Sequence, residues 1–498
     1  MQGVATGLCP DIGAPCPVNI IPIVQILGFL LILLSFLMTL PVNLLVFGDT
    51  PDWLAFVKSS VVCFSIGAAA LALAGRQKHA LRQQQMFMLT VSAWVVIPLF
   101  SSLPLLLSDM KLSMTDAFFE SISGVTTTGS TVLTGLDHLP DDILLWRSIM
   151  QWMGGIGIIG MAVAILPFLR IGGMRLFATE SSEWNEKAVP RTSHLARSLV
   201  LIYLGLTLGC VLTYWLLGMS FFQALNHALT TVSTGGYSTS DSSMGQFDSP
   251  SILLASTVFM AMGAMPFFLF VRFIHGQRQP LIRDQQVRFF LRFLVIVAAL
   301  LTIYRVLREP VDPFETFVSA LFNVTSVVTT TGYASTDYSL WGPFAVVVFL
   351  FITFVGGCSG STSGGMKIFR FQLSMLLLRE QVRRLLHPRA VFARNYNGRV
   401  IGDDIVASSV AFSFIFLATL ALVTAILGAL GLDLVTSLSG AATALTNVGP
   451  GLGDTIGPAG NFQTLPDAAK WVLMGAMILG RLELLSVFVM LSPDFWRS

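Results

Sequence analysis

The chain has 498 residues, of which 54% are hydrophobic and only 11% are charged, whereas soluble proteins carry about 25% charged residues. So few charges cannot cover several soluble domains, and most of the chain is therefore predicted to face lipid. The net charge of +2 excludes the basic surface that nucleic-acid binding requires, and the apolar content excludes disorder. The five cysteines include Cys9 and Cys16, but their spacing predicts neither a disulfide framework nor a metal site. The composition predicts a polytopic membrane protein in a lipid bilayer, with no nucleic-acid partner.

Ten apolar segments are long enough to cross a bilayer, which takes about 20 residues. They occupy residues 18–47, 53–75, 86–107, 142–168, 196–218, 250–275, 287–308, 344–377, 402–430 and 468–492. Lys and Arg concentrate in alternate connections, at residues 76–82, 169–198, 271–292 and 367–400. Because positive charge marks the cytoplasmic side, we expect both termini to be cytoplasmic.

Each of the four opposite connections contains a further apolar stretch that is too short to span. These stretches lie within residues 109–141, 219–249, 309–343 and 431–467. Stretches of about 12 residues are typical of re-entrant half-helices. Such backbone is stable at membrane depth only if it is buried in protein or lines a watery cavity.

Each short stretch ends in a turn rich in glycine and hydroxyl side chains. The turns read Thr126-Thr127-Thr128-Gly129-Ser130, Val232-Ser233-Thr234-Gly235-Gly236-Tyr237, Thr329-Thr330-Thr331-Gly332-Tyr333 and Thr446-Asn447-Val448-Gly449-Pro450-Gly451. Aligning Gly129, Gly235, Gly332 and Gly449 places Glu120, Asn226, Asn323 and Gly440 nine residues earlier, with Asp137, Asp241, Asp337 and Asp454 following. The recurrence predicts a fourfold repeat of helix, half-helix, turn and helix, and not four ordinary surface loops.

Four such turns around one axis could bind a dehydrated cation. Backbone carbonyls replace the water of the ion in potassium-type filters, and glycine lets successive carbonyls point toward one axis. The negative C-terminal dipole end of each half-helix would face the cation.

The four turns resemble the selectivity filters of the Trk/Ktr/HKT potassium transporter family, most of all those of its bacterial TrkH/TrkG branch. The resemblance covers residues from about 86 to 498, with a two-helix preface before them. It implies an all-α fold of about ten transmembrane helices, with four M1–pore loop–M2 repeats around a pseudo-fourfold pore. It also implies K⁺ as the transported ion, a homodimer in the bacterial inner membrane, and a cytosolic TrkA-like regulatory subunit that alone binds nucleotide. A transporter of this kind is not an enzyme.

The resemblance divides the chain into a tail with preface and four pore repeats, at residues 1–85, 86–170, 190–275, 287–377 and 400–498. It places the K⁺ filter at Thr127, Thr128, Gly129, Ser233, Thr234, Gly235, Thr330, Thr331, Gly332, Asn447, Val448 and Gly449. Glycine at all four aligned positions is similar to the potassium-selective members.

Segment 344–377 is too long for one span and contains ten small or polar residues. These are Gly356, Gly357, Cys358, Ser359, Gly360, Ser361, Thr362, Ser363, Gly364 and Gly365. A hairpin here would place the following basic residues outside, against the charge rule, so an intramembrane break is the favoured interpretation. In the family the matching loop is a gate beneath the filter.

Arg481 lies about ten residues from either end of its apolar segment, too far for its charge to reach water. The resemblance places it in the ion path, where it would repel cations or hold the gate loop. The alternative is a structural pair with Glu483.

Other features leave alternatives open. An ion-coupled symporter, with Asp241 or His227 as coupling residue, and a non-conducting receptor or scaffold are the rival functions. The pattern G-x-G-x-x-G at 155–160 lacks a preceding strand, which favours close helix packing over nucleotide binding. The basic residues of 379–399 favour anionic lipid contact, with docking of a regulatory protein as the sharper alternative.

Overall fold

The computed structural model describes residues 19–44, 51–75, 81–164, 192–390 and 392–497. Cys9, Cys16 and the basic residues between 170 and 191 lie outside these ranges. The described chain is helical apart from one hairpin, β1 (Asn395–Tyr396) with β2 (Arg399–Val400). This architecture confirms the predicted all-α class.

The helices follow the order expected from the sequence. The preface contains α1 (Ile21–Met38), α2 (Leu40–Leu44) and α3 (Trp53–Ala74). Repeat one contains α4 (Gln83–Ser101), α5 (Leu103–Leu107), α6 (Met114–Val125) and α7 (Asp141–Ala164). Repeat two contains α8 (Thr192–Leu216), α9 (Phe221–Val232), α10 (Pro250–Gly263) and α11 (Phe267–Ile274), followed by the short α12 (Gln279–Arg283). Repeat three contains α13 (Gln285–Val306), α14 (Pro313–Val328), α15 (Pro343–Thr353) and α16 (Ile368–Leu386). Repeat four contains α17 (Asp403–Ala429), α18 (Leu434–Thr446), α19 (Gly453–Ile456), α20 (Asp467–Arg481), α21 (Leu485–Leu491) and α22 (Pro493–Arg497).

Among the described residues, seven spans are long and apolar enough to cross a membrane, or nine if two bent pairs each count as one. The segments predicted at 250–275 and 468–492 are each a bent pair of helices. Helices α10 and α11 meet at 94°, and α20 and α21 meet at 105°. Pro266 disfavours helix at the first bend, and Glu483 and Leu484 adopt positive φ values of 54° and 51° at the second.

The four short apolar stretches form the half-helices α6, α9, α14 and α18, which confirms that prediction. Each begins with a side-chain cap that accepts a hydrogen bond from the backbone N–H three residues later. The capping residues are Ser113, Ser220, Asp312 and Asp433. An oxygen at this position satisfies one of the free N–H groups of the first turn, so all four half-helices start in the same way.

The long segment of repeat three is interrupted between Thr353 and Ile368. Val355 and Met366, on either side of the loop, pair in parallel. A hairpin would reverse the chain and pair these residues antiparallel. The chain therefore runs locally in the same direction on both sides of the loop, which favours the intramembrane break over the hairpin.

The two long helices of the preface, α1 and α3, contact each other closely, and α3 in turn packs on repeat one. A Cβ added to Gly67 of α3 would lie 2.7 Å from the carbonyl oxygen of Gly28 in α1, and one added to Gly28 would lie 2.9 Å from Gly67 O. Phe56 of α3 then contacts Trp146 of α7 edge to face, with 6.0 Å between ring centroids. Backbone contact between α1 and α3 thus supports the face that packs on α7.

Gly67→Ala should separate α1 from α3, because the neighbouring atom is backbone and cannot rotate away. We expect a loss of about 1–3 kcal/mol in unfolding free energy, measured as a lower melting temperature of the purified protein in detergent. Gly205→Ala in α8 is the matched control, since no heavy atom lies within 4 Å of its added Cβ. Equal melting temperatures for the two variants would contradict the proposed tight contact.

Candidate functional site

The four glycine-rich turns contact one another in a closed ring. In each contact, a methyl group added to a glycine would collide with a carbonyl oxygen of the next turn. The pairs, with the distance from the added Cβ, are Gly129 with Gly235 O (2.2 Å), Gly236 with Thr331 O (1.8 Å), Gly332 with Val448 O (2.0 Å) and Gly449 with Thr128 O (2.8 Å). The order runs from repeat one to two, three, four and back to one.

The backbone corrects the alignment of repeat two by one residue. Each turn contains two residues with a left-handed backbone conformation. The first is Thr127, Thr234, Thr330 or Asn447. The second lies two positions later and is Gly129 (φ 87°), Gly236 (81°), Gly332 (84°) or Gly449 (109°). Matching hydrogen bonds run from Thr128 N to Ser123 O, Gly235 N to Thr230 O, Thr331 N to Ser326 O and Val448 N to Thr443 O. The alignment of Gly235 with Gly129 is therefore wrong, and Gly236 takes that place.

The correction changes which residues correspond elsewhere in repeat two. Thr234, Gly235 and Gly236 form the filter-like triplet, so Ser233 falls one residue before it. His227, and not Asn226, matches Glu120 and Asn323. The sequence carried a signal for this register: the number of residues from the half-helix cap to the glycine is equal in repeats one, two and four only when Gly236 is used.

Two tyrosines brace the ring from behind. Tyr237 donates its hydroxyl hydrogen to Glu120 O of the preceding repeat at 2.8 Å, and Tyr333 donates to His227 O at 3.1 Å. The side chains of Glu120 and His227 form hydrogen bonds with the segment that follows their own turn. Glu120 contacts Val132 N and His227 contacts Ser238 Oγ. Each turn is thus fixed by its own half-helix and, in these two cases, by the next repeat.

Arg147, which forms a buried ion pair within repeat one, adds a second brace between repeats one and two. Arg147, 1% exposed, pairs through Nε with Glu120 Oε1 at 2.7 Å and donates through Nη1 to Ser238 O at 3.1 Å. Its guanidinium also lies 4.2 Å from the ring centre of Tyr237. One turn further along α7, Gln151 donates to Gly235 O at 2.6 Å. Helix α7 therefore holds the turn of repeat two from its outer side.

The two residues considered for ion coupling are both bonded to protein. His227 is fully buried and contacts Gln223 O and Ser238 Oγ at 2.8 and 3.1 Å. Asp241 accepts hydrogen bonds from Gly135 N at 2.8 Å and Leu136 N at 3.2 Å. These contacts give both side chains structural roles.

A cavity of about 210 Å³ opens on one side of the ring, and all four repeats contribute to its wall. Its lining includes Gly129, Gly236, Gly332 and Pro450 from the four turns, together with Asp241. We call this cavity the vestibule. The hydroxyl residues Ser130, Thr131, Ser238, Ser240 and Ser243 supply much of its polar lining. Among the described residues no group of three or more His, Cys, Asp or Glu could hold a metal ion.

The loop 356–365, which the sequence predicts to be a gate and which is here called the gate loop, contacts residues of the turns that do not line the vestibule. Gly364 N donates to Thr330 Oγ1 at 2.7 Å, Thr362 Oγ1 lies 3.1 Å from Thr234 Oγ1, and a Cβ on Gly364 would lie 2.3 Å from Thr446 O. The loop thus touches the turns of repeats two, three and four. Its backbone also bonds α10, from Cys358 N to Ala264 O at 2.9 Å.

Arg481 contacts the gate loop directly. Its side chain is 4% exposed, and Nη2 donates to Thr362 O at 2.8 Å. Its Nε and Nη1 have no partner among the described residues and the side chain lines a cavity of about 30 Å³ with Gly360 and Ser361. Glu483 pairs with Arg370 at 2.7 Å, so the alternative pairing of Arg481 with Glu483 is wrong.

The glycine pattern at 155–160 lies inside α7 and serves helix packing. A Cβ on Gly155 would lie 2.4 Å from the hydroxyl oxygen of Tyr203 in α8. Gly155 thus packs closely on a neighbouring helix, whereas no heavy atom lies within 4 Å of a Cβ added to Gly160.

Comparison with known proteins gives one consistent result. Residues 53–498 match the TrkH family, described as cation transport proteins. The Trk system potassium uptake protein TrkI of Halomonas elongata is 52% identical over 478 residues, covering 96% of this chain and 97% of that protein. The potassium uptake protein TrkH of Vibrio parahaemolyticus is 39% identical over 486 residues, covering 96% and 99%. The crystal structure of the potassium transporter TrkH from Vibrio parahaemolyticus matches the fold with a TM-score of 0.89 at 37% identity, covering 96% of this chain and 100% of that chain.

The corrected register predicts different costs for alanine at the two adjacent glycines. Gly236→Ala places a Cβ against backbone at a left-handed position, which costs about 1–2 kcal/mol in dihedral strain alone. Gly235→Ala meets the Gln151 side chain at 2.4 Å, which can rotate away. We expect Gly236→Ala to lower the melting temperature more; equal or reversed shifts would favour the original alignment.

Proposed function

Since the chain belongs to the TrkH family of cation transport proteins, we propose that it takes up K⁺ across the bacterial inner membrane through a selective pore. The observation that carries this proposal is the closed ring of four turns, with a vestibule on one side and the gate loop against turn residues that do not line the vestibule. A ring of backbone oxygens at the narrowest point of a protein-lined path is what a dehydrated cation requires. The relatives named for potassium uptake cover nearly the whole chain, which supports K⁺ as the ion.

The proposed K⁺ ligands are the carbonyl and hydroxyl oxygens of the four triplets. These are Thr127, Thr128 and Gly129; Thr234, Gly235 and Gly236; Thr330, Thr331 and Gly332; and Asn447, Val448 and Gly449. Each triplet follows the C-terminal end of a half-helix, whose partial negative charge favours a cation. The tyrosine and Arg147 braces fix the ring diameter, and a fixed diameter favours K⁺ over an ion that needs closer oxygens.

We propose that the gate loop and Arg481 close the path beneath the filter. The buried guanidinium opposes cation entry by Coulomb repulsion, worth about 3 kcal/mol at roughly 6 Å and an effective dielectric of about 20. Its hydrogen bond to Thr362 O supports a second effect, in which it holds the loop in the path. Small residues let the loop change its backbone conformation when the gate opens.

Membership of the TrkH family also supports proposals about membrane orientation, assembly and regulation. We propose cytoplasmic termini, a homodimer, and gating by a cytosolic TrkA-like subunit that carries the nucleotide. The basic residues of 271–292 and 379–399 support this orientation, because they occupy connections that the charge rule assigns to the cytoplasm. A symport mechanism through His227 or Asp241 is not favoured, because both side chains are engaged in structural hydrogen bonds.

Uptake of labelled Rb⁺ into proteoliposomes tests the function. A pore predicts passive uptake down the Rb⁺ gradient, a symporter predicts uptake that requires a Na⁺ or H⁺ gradient, and a receptor or scaffold predicts none.

Gly129→Ser should lower the K⁺/Na⁺ permeability ratio, because the added Cβ displaces Gly235 O in the ring. An unchanged ratio would contradict the placement of Gly129 in the filter.

Arg481→Ala should raise passive K⁺ flux by up to about tenfold, since part of the roughly 3 kcal/mol Coulomb barrier is already relieved by water and loop relaxation. Arg481→Lys keeps the charge and should remain near the wild-type flux. Flux equal to that of the alanine variant would instead assign the barrier to anchoring of Thr362. If Arg481→Ala leaves flux unchanged in protein of normal melting temperature, the residue does not face the ion path.

A further inference from the structure

A second cavity, of about 370 Å³, lies where α11, α12 and the start of α13 meet the β1–β2 hairpin. Three arginines line it, Arg272, Arg283 and Arg288, together with one acid, Asp284. The cavity belongs to neither the ring nor the gate loop. Its wall therefore carries an excess of positive charge at a site that the proposed ion path does not use.

The three guanidinium groups outnumber Asp284, the one acid in the cavity wall. Within the described ranges none of them forms an ion pair; Arg272 Nε donates to the neutral Gln277 Oε1 at 2.9 Å, and Arg288 Nη2 donates to Arg283 O at 2.8 Å. The carboxylate of Asp284 is occupied by Val287 N at 3.0 Å and Asn397 Nδ2 at 2.9 Å. The remaining guanidinium N–H groups are thus available to an anion, and their planar forks match phosphate oxygens.

The surroundings of the cavity favour a lipid as the source of that phosphate. Ile274 and Ile282 are each 68% exposed, and Phe289 is 42% exposed. All three lie on the helices that carry the cavity arginines, so these helices expose apolar surface as well as positive charge. A soluble anion would use only the arginines, whereas a phospholipid would also cover this apolar surface with its acyl chains.

We propose that Arg272, Arg283 and Arg288 bind the phosphate of an anionic phospholipid, and that this site is coupled to the gate loop through Gln286. Gln286 follows the cavity residue Gln285 and is buried, and its Oε1 accepts a hydrogen bond from Ser359 N of the gate loop at 3.0 Å. Gln285 O accepts another from Gln372 Nε2 of α16 at 3.0 Å. A ligand that fixes the start of α13 therefore also restrains the gate loop at Ser359 and the helix α16 that follows the loop.

Native mass spectrometry of the full-length protein tests the binding. The probes are phosphatidylglycerol, phosphatidylcholine and inorganic phosphate, each added to protein in detergent. We expect bound phosphatidylglycerol, and at least about tenfold weaker binding for the triple variant Arg272→Gln, Arg283→Gln, Arg288→Gln, because the loss removes every charged donor to the phosphate. The matched control is Lys58→Gln, Lys111→Gln, Arg308→Gln, which removes the same charge from exposed positions that do not line the cavity.

Binding within twofold of wild type is expected for the control. An equal loss in both triple variants would show only a general effect of net charge and would overturn the site. Retention of phosphatidylglycerol by the cavity variant would also overturn it. Arginine-dependent binding of inorganic phosphate without phosphatidylglycerol would overturn the lipid assignment in favour of a soluble anion.

Hydrogen exchange of the peptide that contains residues 356–365 tests the coupling. Phosphatidylglycerol should slow its exchange relative to phosphatidylcholine in the wild-type protein, and should not do so in Gln286→Leu, which lacks the acceptor for Ser359 N. Unchanged exchange in the wild type, or equal slowing in Gln286→Leu, would overturn the coupling. Neither measurement requires ion flux, so a failure of the proposed pore would be recognised separately.

Discussion

The structure depends on one steric constraint, which is that four backbone turns meet with no room for a side-chain carbon between them. At each contact a Cβ would stand within 1.8–2.8 Å of a carbonyl oxygen of the next turn. Glycine is therefore required at these positions both for its left-handed φ and for its missing Cβ. The half-helices, the tyrosine braces and the Arg147 contacts all act on this ring, because turns so closely packed cannot adjust independently.

The four walls of the ring are similar in backbone but different in chemistry. Repeats two and three carry a tyrosine after the glycine, whereas repeats one and four carry Ser130 and Pro450. Repeat four replaces the second hydroxyl residue with Val448, and Asn447 bonds Thr128 Oγ1 and Met477 O instead. The path is thus fourfold in geometry while each wall has its own support, as expected when the four units belong to one chain and can diverge separately.

Two buried arginines, Arg147 and Arg481, differ in how far protein partners compensate their charge. Arg147 has a carboxylate, a carbonyl oxygen and an aromatic face as partners, so its desolvation is largely offset and it stabilises the ring. Within the described part of the chain, Arg481 has one carbonyl oxygen as hydrogen-bond partner, on the gate loop. A buried charge with so little compensation is costly to fold, and its position beside the proposed path gives a physical reason for retaining it.

The sequence by itself determined the membrane class, the number of repeats, the half-helices and the break in repeat three, because apolar length, glycine and charge act locally and leave a pattern that can be read along the chain. The register of repeat two could not be read from the turn alone, since Gly235 and Gly236 both fit the pattern, although the half-helix cap pointed to Gly236. Only the tertiary structure decided which glycine enters the ring, that Glu120 and His227 are equivalent, and that Glu483 pairs with Arg370. These outcomes depend on contacts between residues roughly a hundred positions apart, where the partner of a carbonyl or carboxylate is set by packing and not by spacing in the chain.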